Sequence, residues 1–327
     1  MHKIMNFHTK YTKRVKKLAK VFIDGKAGTT GLRIYERLES RDDIELITLS
    51  DEDRKDYDKR KEAINSADIV FLCLPDPAAI EAVGMIENDN VKVIDTSTAH
   101  RTNDGWCYGF PELDEEKLEN LKKSKRVAVP GCHAGGFIAL VYPLIKNGII
   151  SPDTKIACHS LTGYSGGGKK MIAEYEDENR SPLFDAPRQY GLTQQHKHLK
   201  EMKAITGLQV TPIFSPIVSN FYSGMEMTVP LFASDLCEGK TVEDIKNVYS
   251  SLYNSEIVKY KESMDEEGLM SANALSFKDR MEITVCGNEE RILLIARYDN
   301  LGKGASGAAL ECMNIMLGNE PTLGLDV

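Results

Sequence analysis

Cys132 follows Pro130-Gly131 at the end of the apolar run Val127-Ala128-Val129 and precedes a second apolar stretch from Gly136 to Ile145. A strand, a tight turn and a buried helix are expected in that order, which sets the thiol at a helix mouth. Free N–H groups and the helix dipole lower a thiol's pKa there, and the same N–H groups can hold an oxyanion on an acyl carbon. Covalent acyl transfer is the chemistry this position offers, although residue type alone fits a small buried cysteine equally well. A nucleophilic thiol needs a base. Gln194-Gln195-His196-Lys197-His198 places two of the seven histidines two residues apart in a polar stretch, and only the fold can bring them to the sulfur. A solvated turn or a weak metal site explains such a pair as readily, but no third ligand lies nearby.

The elements that must position these groups begin at Lys20. Val21-Phe22-Ile23 predicts a first strand, Thr30 to Leu38 a helix, Ile44 to Leu49 a second strand and Ala67 to Leu74 a third. Pro77 to Ile86 then predicts a helix opened by proline, and Val91 to Ile94 a fourth strand, with Arg126 to Val129 as an extension. Strands alternating with helices indicate a parallel sheet with crossover helices. Between the first strand and helix lies Asp24-Gly25-Lys26-Ala27-Gly28-Thr29-Thr30-Gly31, a G-x-A-G-x-x-G variant of the dinucleotide fingerprint. Its small residues let backbone approach a pyrophosphate, which the helix N-terminus attracts. The second strand ends in Leu49-Ser50-Asp51-Glu52-Asp53-Arg54-Lys55, with an acid for a ribose hydroxyl and a serine and bases for a 2′-phosphate, so composition leaves the choice of nicotinamide open. After Cys132 strand-like segments dominate, at Lys155 to Leu161, Met225 to Leu231 and Arg291 to Tyr298, and an α+β region is expected from 131 to 299. Asn300 to Leu317 is glycine-punctuated and then helical.

A chain of 327 residues is long enough for two cores. The seven cysteines are odd in number and scattered without a C-x-x-C pair, which argues for no disulfide framework, no metal site and a reducing, cytoplasmic setting. A net charge of −8 argues against nucleic acid as a partner, and no apolar run reaches the ~18 residues a membrane span needs. Residues 1–19 form a basic leader; Met1 to Lys20 carries seven Lys/Arg and no acid. It lacks the serine and arginine bias of a transit segment, and a frayed start before the first strand is expected.

Taken together, these motifs resemble the N-acetyl-γ-glutamyl-phosphate reductase family, the arginine-biosynthetic relative of aspartate-semialdehyde dehydrogenase, and more closely its shorter second type. The resemblance runs from Lys20 to Gly318 through seven blocks in order: Phe22 to Leu32, Val93 to Arg101, Tyr108 to Leu113, Pro130-Gly131-Cys132, Gly163 to Lys169, His196-Lys197-His198 and Asn300 to Ala309. It implies a Rossmann-type doubly wound α/β sheet over 20–130, completed by 300–327, and an α+β catalytic and dimerisation domain over 131–299. The family's nucleophile falls on Cys132 and its acid/base on His198, with His196 as the alternative. NADP is the implied cofactor, held by Gly25, Ala27, Gly28, Thr29, Thr30 and Gly31, with Ser50 and Arg54 on the 2′-phosphate. Cys73, Leu74 and Pro75 would border it, and Asn300 and Lys303 would lie near the nicotinamide. Ser97, Arg101, Ser165 and Lys169 are the implied holders of a small acyl-phosphate substrate, and a homodimer or homotetramer is implied. This chain has Lys169 where the longer type tends to have arginine, and Lys200 where that type has proline; a lysine meets phosphate as a point charge rather than as a fork. Aspartate-semialdehyde dehydrogenase is the competing enzyme, and a nicotinamide-sensing protein without catalysis is the competing non-enzyme.

Overall fold

The computed structural model describes residues 18–327. The leader expected over 1–19 therefore lies outside the described residues, apart from Leu18 and Ala19, which run into the first strand. Two sheets organise the rest. The first is built from β1 (Ala19–Asp24), β2 (Ile44–Ile47), β3 (Ile69–Leu72), β4 (Lys92–Asp95), β5 (Cys107–Tyr108) and β6 (Arg126–Ala128), in the order β2-β1-β3-β4-β6-β5. All its pairings are parallel. The four residues of β3 are all buried, as a central parallel strand covered on both faces must be. One face packs against α1 (Thr29–Leu38) through Ile34 and Leu38; the other packs against α2 (Tyr57–Ser66) and α3 (Asp76–Gly84) through Ile64, Ala79 and Ala82. Because β1 lies between β2 and β3, the chain reverses direction across the sheet there. A crevice opens beyond the carboxyl ends of β1 and β3 at that reversal.

α4 (Glu115–Lys123) leads into β6. α5 (Cys132–Lys146) then starts at the predicted thiol, four residues before the apolar stretch that foretold it. From His133 to Val141 every residue of α5 is buried, because it packs between the second sheet and the helices at His198–Thr206 and Val242–Leu252. Pro143 has no N–H to give the Ala139 carbonyl, and the Tyr253 hydroxyl donates to that oxygen instead at 2.7 Å. The second sheet contains β7 (Ala157–Gly163), β8 (Arg188–Gln189), β9 (Ile213–Ser219), β10 (Met225–Phe232), β11 (Val258–Tyr260), β12 (Met281–Gly287) and β13 (Arg291–Tyr298). Its order, β11-β12-β13-β10-β7-β9-β8, mixes parallel and antiparallel neighbours. One face covers α5, with α6 (Gly168–Glu176), α7 (His198–Thr206) and α8 (Val242–Leu252) supplying the remaining helices. After β13 the chain makes a π-turn at Gly302–Ser306 and enters α9 (Gly307–Leu317), whose Ala308, Leu310 and Met313 join the core that contains Val21 and Ile34 of the first sheet.

Candidate active site

The glycine loop builds a cradle for a dinucleotide. Gly25 has φ +90°, and a Cβ there would stand 2.2 Å from the Cys73 carbonyl oxygen; a Cβ on Gly31 would stand 2.5 Å from the Gly25 carbonyl oxygen. Both positions exclude side chains so that β1, β3 and α1 can close together. Gly28 caps α1 without a side-chain hydrogen bond, leaving first-turn N–H groups for a pyrophosphate. On one side of the loop a cleft of about 690 Å³ is lined by Gly25, Ala27, Leu74, Asp51 and Arg54. On the other side a recess of about 290 Å³ is bounded by Gly28 to Gly31, Cys73 to Pro75, Ser97, Arg101, Ser165 and Lys197. The residues present therefore fit a dinucleotide whose two ends lie on opposite sides of the loop.

Around Cys132 the groups converge on Gly131. This glycine caps α5 without a side-chain bond, and a Cβ on it would stand 2.4 Å from Arg101 Nη1 and 2.6 Å from His198 Nε2. Arg101 is buried, donating from Nε to the Val129 carbonyl (2.8 Å), from Nη2 to Thr96 O (3.0 Å) and from Nη1 to Glu201 Oε2 (3.0 Å). The other Glu201 oxygen accepts from the Tyr108 hydroxyl at 2.7 Å and from the Gly131 N–H at 2.8 Å. The loop carrying Arg101 is fixed by Asp95, which accepts from the Ser97 N–H and hydroxyl and meets His100 Nδ1 at 2.6 Å; His100 in turn stacks on Trp106. Behind the thiol, the Tyr298 hydroxyl donates to the Cys132 carbonyl at 2.6 Å, and a Cβ on Gly304 would lie 3.2 Å from Cys132 Cβ.

Burial pushes the Cys132 thiol above its ordinary value, while Arg101, the His133 N–H and Lys197 pull it down. The net direction is upward, opposite to what the helix start alone led us to expect, because removing the sulfur from water disfavours its charge more than these groups favour it. Burial also holds His198 well below the usual histidine value, helped by the positive field of Arg101. The resting pair is accordingly a neutral thiol and a neutral imidazole. His198 Nδ1 is buried without a partner, and Nε2 is the nitrogen facing Gly131.

Several expected site residues are placed differently. The Lys303 amine is committed within the protein: it is buried between Glu112 (2.6 Å) and Glu311, since a buried ammonium needs carboxylate partners. Asn300 is buried behind the recess, donating to Ser165 Oγ (3.0 Å) and accepting from the Gly224 N–H (2.9 Å), so it orients Ser165. Lys169 is exposed on α6 and outside the recess lining, where Lys197 stands instead. The Ser50 hydroxyl is turned to Asp53 at 2.8 Å, while Arg54 lines the cleft and pairs with Asp51 at 3.3 Å. His196 faces a separate groove with Lys200 and Lys203, and its Nδ1 accepts from the His198 N–H. Sequence reasoning did not single out Glu201 or Lys197, nor His133 and Tyr190, whose Nε2 and hydroxyl lie 2.7 Å apart. For Glu201 a signal existed, because its spacing of three from His198 puts both on one face of α7.

Gly131→Ala tests this convergence. The added methyl must displace Arg101 or His198, and kcat/KM is expected to fall about 10²-fold in a protein that still folds. A Gly131→Ala enzyme with full kcat/KM would mean that neither side chain is needed there.

Known proteins place these features in a class. Residues 20–121 match the semialdehyde dehydrogenase NAD binding domain and residues 132–300 the semialdehyde dehydrogenase dimerisation domain. The fold is that of aspartate semialdehyde dehydrogenase II of Vibrio cholerae complexed with ASA, with a TM-score of 0.70 over 92% of this chain and 99% of that one at 14% identity. A semialdehyde dehydrogenase with a nicotinamide cofactor is thus the class. Within it, the chain is 43% identical over 318 residues to N-acetyl-gamma-glutamyl-phosphate reductase 2 of Nostoc sp., covering 94% of this chain and 99% of the relative. It is also 44% identical over 305 residues to the reductase of Rhizobium etli, covering 91% and 98%. The chain belongs to the N-acetyl-γ-glutamyl-phosphate reductase family. Among the described residues no helix is long and apolar enough to cross a membrane.

Proposed function

We propose that this chain is a cytoplasmic enzyme of arginine biosynthesis that reduces N-acetyl-γ-glutamyl phosphate to N-acetylglutamate semialdehyde and phosphate with NADPH, through a thioester on Cys132. The observation that carries this reading is Cys132 at an uncapped helix start, with Arg101 and His198 meeting at the glycine before it. His198 Nε2 takes the thiol proton as the sulfur attacks the γ-acyl carbon. The bond from that carbon to the phosphate oxygen breaks, and phosphate departs into the recess of Arg101, Lys197 and Ser165. A dianion lodged there offsets the positive field that depresses His198, so the substrate itself makes the imidazole a better base. NADPH, when bound, supplies the hydride that reduces the thioester. The first N–H groups of α5 hold the oxyanion that results; when the carbon–sulfur bond breaks, His198 returns the proton to sulfur.

NADP over NAD is supported by Arg54 and Lys55 in the wider cleft and by the likeness to an aspartate semialdehyde dehydrogenase structure with NADP from Candida albicans, at a TM-score of 0.62 and 15% identity. A homo-oligomer is supported by the dimerisation-domain match and by Ile213 and Phe232, each 62% exposed on the open face of the second sheet. The deciding assay is phosphate-dependent NADP reduction with N-acetylglutamate semialdehyde against aspartate semialdehyde. We expect the former to be preferred by about 10²-fold in kcat/KM; the reverse preference overturns the substrate. In the same assay His198→Asn is expected to lower kcat about 10²-fold, whereas His196→Asn leaves it near the wild-type value. The opposite ranking would move the acid/base role to His196.

A further inference from the structure

Four basic residues line the wider cleft beside the glycine loop: Lys26, Arg54, Lys55 and Arg60. Arg60 is committed to two carboxylates, Asp24 at 2.9 Å and Glu81 at 3.0 Å. Arg54 and Lys55 are exposed, where water and salt screen them, and Arg54 already pairs with Asp51 at 3.3 Å. The Ser50 hydroxyl is taken up by Asp53. Lys26 differs from all of these. It is half-buried, follows the glycine whose φ of +90° turns the loop, and has no carboxylate partner among the described residues. Its ammonium rests instead on the ring of Tyr35, 3.1 Å from the centroid. A π face attracts a cation without cancelling its charge, and holds it less strongly than an anionic oxygen does. The amine is thereby kept inside the cleft with its charge unspent.

The place of the ring says which phosphate the amine serves. A pyrophosphate belongs at the first turn of α1, where Gly28 leaves N–H groups free. Tyr35 stands nearly two turns beyond Thr29 and packs with Leu46 of β2 on the core of the first sheet. From there the cleft wall runs to Thr48, Leu49 and Asp51, just past the end of β2, which is where a sheet of this kind places the adenosine ribose. We propose that Lys26 is the residue that selects NADP over NAD, leaving the Tyr35 ring to pair with the 2′-phosphate. Tyr35 is its positioning residue, holding the ammonium in the cleft until that phosphate arrives. The inference rests on NADP as the cofactor, and binding alone tests it.

Isothermal titration calorimetry with NADP and with NAD, which differ only in the 2′-phosphate, needs neither substrate nor turnover. In Lys26→Met the dissociation constant for NADP should rise about tenfold, on the scale of one hydrogen bond to a charged group, while that for NAD stays at the wild-type value. Retained NAD binding also shows that the variant is folded. Tyr35→Leu, which removes the ring, should weaken NADP about threefold, and Tyr35→Phe, which keeps it, should match the wild type. If Lys26→Met weakens NADP and NAD equally, the lysine serves the pyrophosphate; if it leaves the ratio of the two unchanged, the lysine serves neither. Either result overturns the proposal, and unchanged NADP binding in Tyr35→Leu overturns the part given to the ring. A wild-type protein that binds NAD as tightly as NADP would sink the cofactor reading itself, a failure visible before any substitution is made and so distinct from a failure of Lys26 alone.

Discussion

Replacing Cys132 by serine is expected to lower kcat about 10⁴-fold or more, on the scale of losing a nucleophile from a covalent mechanism. A serine hydroxyl at the same place has a far higher pKa than a thiol and would need a strong base. The site holds none: His198 is neutral and kept weakly basic by burial and by Arg101. The sulfur, by contrast, is intrinsically the stronger acid, and although burial raises it, Arg101, the His133 N–H and Lys197 offset part of that rise. The substitution is nearly isosteric at a half-buried helix start, so the melting temperature should stay close to the wild-type value. Acid-quenched wild-type enzyme should carry the acyl group on the Cys132 peptide, and the serine enzyme should not. Turnover near the wild-type rate in Cys132→Ser would rule out the thioester.

The second large effect concerns stability. Lys303→Met is expected to destabilise the protein by about 3–5 kcal/mol, measured by denaturant unfolding. The amine lies between Glu112 and Glu311, and one Glu112 oxygen is already buried without a partner. Without the ammonium, two carboxyl groups share a dry site with no counter-charge. The pH dependence has a definite sign. Burial and the charge of Glu112 raise Glu311 above the ordinary carboxylate range, so the native state binds a proton that the unfolded chain has released. Stability from this group is present below the unfolded carboxylate pKa and is lost as pH rises through the raised value. In Lys303→Met Glu311 loses the ammonium that holds it down and moves further up, so the deficit should be largest at alkaline pH and shrink toward pH ~5. A deficit that is small and flat with pH would mean that the three groups do not share one buried site. The substitution should also reduce activity, because Gly304, next to this lysine, packs on Cys132.

How much of this was legible beforehand varies from element to element. β13 was predicted at its observed bounds, and β1, β3, β4, α1 and α3 to within a few residues, because apolar runs bounded by turn residues and helices opened by glycine or proline are visible in local order along the chain. α2 was not predicted: only Ala63 and Ile64 of its ten residues are buried, too few to show a helical period. The glycine loop was legible because Gly25 and Gly31 occupy positions where a side chain would strike backbone. The thiol was legible from its turn, but its charge state was not. That depends on how much water the fold removes and how close Arg101 comes, and these two residues lie 31 positions apart.

The sequence by itself determined the turn that carries Cys132, the glycine loop after the first strand, the α/β architecture and the family, all of which are written in local order along the chain. Only the tertiary structure decided which lysine faces the recess, Lys197 rather than Lys169, and that Lys303 is buried between two glutamates. Likewise, only the structure joined Glu201 to Arg101 and Tyr190 to His133. The physical reason is that turns and periodicities arise from forces between neighbours in the chain, whereas protonation and ion pairing are set by whichever distant groups burial brings within a few ångströms.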